Sequence, residues 1–120
     1  MVQAAVEAAT QVATSALSYV QARAALARRR HAGDMTAAEH RRLVRGFQED
    51  WDRYVQVDVT TDVLHDAAAL AETTALRAYD AVHLASARTI RARAGTVTFA
   101  CWDRTLERAA IRDGFRPLVG

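Results

Sequence analysis

The sequence predicts an α/β domain built on a parallel sheet. Short β-rich runs, over 11–14, 55–59 and 96–101, alternate with helical patterns along the chain. At 120 residues there is length for one domain with a real core. A hydrophobic share of 51% and a charged share of 25% are those of an ordinary globular protein, which argues against disorder.

Residues 1–9 read as the tail of a helix. The run 11–14 reads as a short strand, and Ser15 starts a helix through Tyr19, Val20, Ala24 and Leu26 to Arg30, stopped by Gly33. Thr36, with Glu39 three residues on, sets up a capping box for a helix through Leu43, Val44, Phe47 and Trp51, with Arg41, Arg42 and Arg45 on its outer face. The alternating run 55–59 is a strand. Thr60 or Thr61 caps a helix from Asp62 through Leu64, Ala67 and Leu70. A central helix then covers LRAYDAVHLASA (76–87), free of Gly and Pro and lined with Ala on one side, so that another backbone can come close. The strand ending at Cys101 follows, then a helix from Asp103 to about Arg112, ended by Gly114. A short final strand runs over 115–119, where Pro117 argues for an edge.

Asp80 lies in the middle of the apolar central helix, with His83 three residues on and on nearly the same face. A carboxylate in a packed region must be paired, hydrogen-bonded or bound to a cation. Pairing with an Arg and ligation of a hard metal both satisfy that need, and helix pattern alone leaves both open. The run VTFACWDRTLERAA (97–110) is a strand that delivers Asp103 at its carboxyl end, where a helix begins and where parallel sheets place their ligands.

Together, LRAYDAVHLASA and VTFACWDRTLERAA resemble the C-terminal half of PIN-domain nucleases, most closely the VapC-like toxins of type II toxin–antitoxin systems. The segment VATSALSYVQARAALARRR (12–30) extends the resemblance, less specifically, toward the N-terminus. It implies a PIN-like three-layer fold with a parallel sheet and a magnesium- or manganese-dependent endoribonuclease. It also implies a cognate antitoxin, an RNA substrate and a homodimer. Of the family's four acidic positions it carries over Asp80 and Asp103 as catalytic and metal-binding residues. The family's Glu position holds Gln21, whose neutral oxygen adds no charge. The first acidic strand of the family has no counterpart, which implies an N-terminally truncated or degenerate member. Two carboxylates in place of four imply weaker metal binding and a rival reading, a catalytically inactive PIN-like protein that engages an antitoxin or RNA.

Other residues carry two readings each. Ser15 follows Thr14 at a strand end and either contacts phosphate or caps a helix. Arg104 touches phosphate, pairs with Asp103 or is solvated. His83 is a partner of Asp80 or a half-buried structural residue. The basic groups Arg28, Arg29, Arg30 and His31, with His40, Arg41 and Arg42, form an edge that could track RNA or be solvated helix ends. Trp51 and Trp102 read as packing residues. The single Cys101 reads as a small core residue and fits a reducing compartment. No apolar run approaches the ~18 residues of a membrane span, and the N-terminus lacks a signal-peptide pattern. A cytoplasmic protein is expected. Net charge is only +2, with all sixteen basic residues arginine, so nucleic-acid binding is permitted and not demanded. No zinc spacing, phosphate-cradling glycine loop or Ser-His-Asp pattern occurs.

Overall fold

The computed structural model describes residues 11–95, 97–99 and 104–116. The helix tail over 1–9, Cys101, Trp102, Asp103 and Pro117 lie outside these residues. The elements in order are β1 (Ala13–Ser15), α1 (Leu17–His31), α2 (Ala37–Trp51), β2 (Val55–Val57), α3 (Thr61–Thr74), α4 (Ala78–Ala94) and α5 (Arg104–Arg112). The chain is α/β, mostly helical, with a small parallel sheet.

β1 and β2 pair in parallel, Ala13 opposite Val55, Thr14 opposite Gln56 and Ser15 opposite Val57. The ladder extends at both ends, with Val55 N–H donating to Val12 O and Ala16 N–H to Val57 O, each at 2.8 Å. Among the described residues, the run at 97–99 makes no pairing with β1. Thr98 instead bridges Arg116 in parallel, through Phe99 N–H to Arg116 O and Arg116 N–H to Val97 O. Both predicted strand ends shift. Ser15 closes β1 and does not open α1, because the ladder with Val57 holds it extended. β2 stops at Val57, three residues before Thr60 caps α3.

The core gathers Val63, Ala67 and Leu70 of α3, Ala81, Val82, Leu84 and Ala85 of α4, Leu106, Ala109 and Ala110 of α5, and Leu76 and Phe115. α4 is its axis, packing against β1, α3 and α5. Leu84 is fully buried. The small side chains Ala81 and Ala85 allow the close approach that the Ala-rich motif predicts. α4 begins at Ala78 rather than Leu76, because Leu76 turns into the core and Arg77 holds an extended ψ of 157°. It continues to Ala94, seven residues past the motif, and ends at Gly95 with φ +85°.

α1 and α2 form a hairpin in which neither helix buries a residue. Aromatic contacts hold its base. Tyr19 lies 5.7 Å from Phe47 and 5.3 Å from Trp51, ring centre to ring centre, and Trp51 meets Tyr54 edge-on at 6.3 Å. Trp51 is thus a packing residue, as the sequence suggests. The Thr36–Glu39 capping box is present, with both reciprocal bonds made.

On the other side of α4, Arg88 donates to both carboxylate oxygens of Asp113 and, through Nη1, to Asp66 Oδ1 at 2.7 Å. Arg91 caps the same turn, with Nη1 on Asp113 O at 2.7 Å and its guanidinium 4.0 Å over the Phe115 ring. The two arginines bind α3, α4 and the turn after α5 together.

Candidate active site

α4 reaches α1 through His83, one turn after Asp80. Asp80 lies in the first turn, where the helix dipole favours a carboxylate. Its side chain is 22% exposed, and Arg77 Nε lies 3.6 Å from its Oδ2. The carboxylate is therefore neither sealed in the core nor fully solvated, the state in which it can accept a further partner.

His83, one turn on, is half-buried. Its Nε2 lies 2.6 Å from Oε1 of Gln21 on α1. An amide oxygen only accepts, so the imidazole Nε2–H is the donor and the ring is held in one tautomer. Burial pushes the His83 pKa below the ordinary histidine value, while the Asp80 charge pulls it up. Burial prevails, so His83 is neutral at pH 7. The neutral ring and the neutral amide suit each other, and the contact adds no charge beside Asp80.

Ser15, at the end of β1, is 2% exposed, and its Oγ accepts Leu17 N–H at 3.2 Å. Beside it, Thr14 Oγ1 and Ser18 Oγ are 2.7 Å apart. The hydroxyl of Ser15 therefore serves the start of α1, whose N-cap residue, Ala16, supplies no side chain for the purpose. Arg104 opens α5 and is exposed. Asp103, one residue earlier, is outside the described residues.

His83 thus lies between Asp80, whose charge it feels, and Gln21, to which it is bonded. The Gln21–His83 bond is not evident from the sequence, since 62 residues separate the two. The only local signal is His83 following Asp80 at i+3. Among the described residues, no group of three or more His, Cys, Asp and Glu side chains could hold a metal. The donors at hand are the Asp80 carboxylate and a Gln21 oxygen already engaged by His83. Such a set suits a hard cation only with a further carboxylate and waters.

The motifs around Asp80 and Asp103 sit in a chain with clear relatives, and it belongs to the VapC ribonuclease family. It is 39% identical over 103 residues to Ribonuclease VapC45 and to Ribonuclease VapC49, both of Mycobacterium tuberculosis. The match covers 86% of this chain and 70% of each relative. No protein-family model matches the chain.

Proposed function

We propose that the protein is an endoribonuclease of the VapC toxin type that requires Mg2+ or Mn2+, acts on RNA and is controlled by a cognate antitoxin. The observation that carries this reading is the 39% identity to two VapC ribonucleases across 86% of the chain. The partly buried Asp80 carboxylate on the core helix supports it. The fold is the three-layer PIN fold, with β1 and β2 as part of its sheet, and the working form is a cytoplasmic homodimer. No helix among the described residues is long and apolar enough to cross a membrane.

Asp80 and Asp103 would hold the divalent ion, and Arg104 would meet the phosphate. The ion would supply an activated water and neutralise charge on the phosphodiester. Asp80 binds and orients from α4. His83 and Gln21 keep the adjoining wall neutral and fixed, so that the charge of the site is that of its carboxylates.

The experiment is RNA cleavage by the purified chain across a Mg2+ and Mn2+ series, with D80N as control. Metal-dependent cleavage lost in D80N supports the reading. Cleavage that persists in D80N or in excess chelator overturns it.

One observation favours a second reading. Gln21 stands where a further carboxylate is expected and its oxygen is already bonded to His83. A chain of that kind keeps the fold for binding an antitoxin or RNA without cutting. It predicts no cleavage with either metal and no rise in melting temperature at millimolar Mg2+.

A further inference from the structure

The distal half of the α1–α2 hairpin, from Arg28 to Arg45, carries six arginines against two carboxylates, a net of +4 in a chain whose total is only +2. All six arginines are exposed, and none makes an ion pair among the described residues. Of the two carboxylates, Glu39 is committed to the capping box of α2. The hairpin buries no residue, so its tip contributes nothing to the core.

Helix electrostatics explain only part of this charge. Arg28, Arg29, Arg30 and His31 fill the last turn of α1, where the dipole favours cations. α2 is arranged the opposite way. His40, Arg41 and Arg42 occupy its N-terminal half and Arg45 follows its midpoint, while Glu49 and Asp50 lie near its C-terminal end and no basic residue stands in its last turn. The dipole disfavours that order, and crowding cations onto one tip adds self-repulsion. The arrangement costs stability slightly and brings no contact within the fold.

We infer that this tip is a docking surface for the phosphate backbone of single-stranded RNA, an inference that rests on the ribonuclease reading above. Arg41 and Arg45 lie one turn apart on the same face, about 6 Å along the axis. They form a short row on α2 with Arg42 beside it, and Arg28, Arg29 and Arg30 fan round the end of α1 at the same tip, which gathers guanidinium groups, the side chain best suited to phosphate oxygens. α1 joins the row to the candidate active site. Gln21, which touches His83, lies nine residues before Arg30, about 14 Å along the helix. An RNA strand held at the tip can therefore reach Asp80 within a few nucleotides. The row offers guanidinium groups that meet phosphate oxygens, and contacts of that kind hold the backbone without choosing sequence.

The test is binding of a fluorescent oligouridine in the presence of chelator, which separates binding from cleavage, across a salt series. The variants are R41Q/R42Q/R45Q and, independently, R28Q/R29Q/R30Q, each checked for an unchanged melting temperature. Each triple variant is expected to bind at least about tenfold more weakly, and its slope of log affinity against log salt should fall by about 2, since each phosphate contact on a single strand contributes about 0.7. Unchanged affinity and slope in both triples overturn the inference. So does a loss confined to an acidic peptide or to anionic vesicles. If the parent cleaves RNA and both triples bind normally, the surface is wrong while the ribonuclease reading stands. If the slopes fall but nothing is cleaved, the surface stands without the nuclease.

Discussion

His83 Nε2 lies 2.6 Å from Gln21 Oε1, and this one hydrogen bond joins the hairpin to the core helix beside Asp80. A neutral donor meets a neutral acceptor. A carboxylate at position 21 would change the electrostatics of that contact, because it would face an imidazole that it can draw into an ion pair. The variant Q21E is therefore expected to raise the His83 pKa above its present lowered value. An NMR pH titration of the His83 ring reads this directly. A His83 that titrates as low in Q21E as in the parent would show that the two side chains do not meet in solution.

Burial of the same histidine sets a pH dependence. Burial lowers the folded pKa of His83, so the unfolded chain takes up its proton first on acidification. The stability this group allows is full above the ordinary histidine value near 6.5, declines as pH falls below it, and levels off below the folded pKa. Melting temperatures should thus drop as pH falls below about 6.5. H83Q, which keeps a donor for Gln21 but cannot titrate, should flatten that portion of the profile. An equal slope in H83Q would assign the effect to other groups.

Much of this architecture is legible in the residues. The Ala-rich face of LRAYDAVHLASA becomes the face of α4 that meets β1 and α3, because small side chains set how closely elements approach. Thr36 and Glu39 cap α2 as their spacing dictates, since a capping box is a local device. Contacts that join distant segments are not legible. Nothing near Arg88 in the sequence announces Asp66 and Asp113, 22 and 25 residues away on either side. Gln21 reads as a carboxylate position that has lost its charge, and only the fold reveals that its oxygen is used by His83. Ser15 is misjudged by one element, as the ladder partner Val57 that extends it lies 42 positions on. The pairing of Asp80 with Asp103, on which the metal site depends, falls outside the described residues.

The Arg88 cluster holds the far side of the core and should behave as one unit. Arg88 and Arg91 keep the Asp113 carboxyl below the usual carboxylate range, the Arg88 hydrogen bond being the main cause. Asp113 therefore adds stability that is present above its unfolded value near 3.8 and is lost as pH falls through the lower folded value. R88M leaves Asp113 half-buried with only Arg91 to answer it. Urea unfolding should show a loss of about 1–3 kcal/mol. In D113N that acid-side loss should vanish, since the group no longer titrates. Additive effects of R88M and D113N in a double-mutant cycle would refute the coupling.

Ala75 ends α3 in the left-handed region, at φ 59° and ψ 22°, and is exposed. It is the one described non-glycine residue with positive φ. The geometry is imposed from both sides, because Leu70 must stay in the core on α3 while Leu76 enters it immediately after the turn. A Cβ in this region crowds the backbone, and glycine does not. A75G is expected to stabilise the chain by up to about 1 kcal/mol, the relief of strain being partly offset by the added freedom of the unfolded chain. Leu84→Ala supplies the contrasting scale, as a fully buried leucine on the axis of the core should cost about 2–5 kcal/mol when truncated. Denaturant midpoints of the two variants give both signs in one measurement. A destabilised A75G would mean that the turn between α3 and α4 does not hold the left-handed conformation, and with it that Leu76 is not fixed in the core by this route.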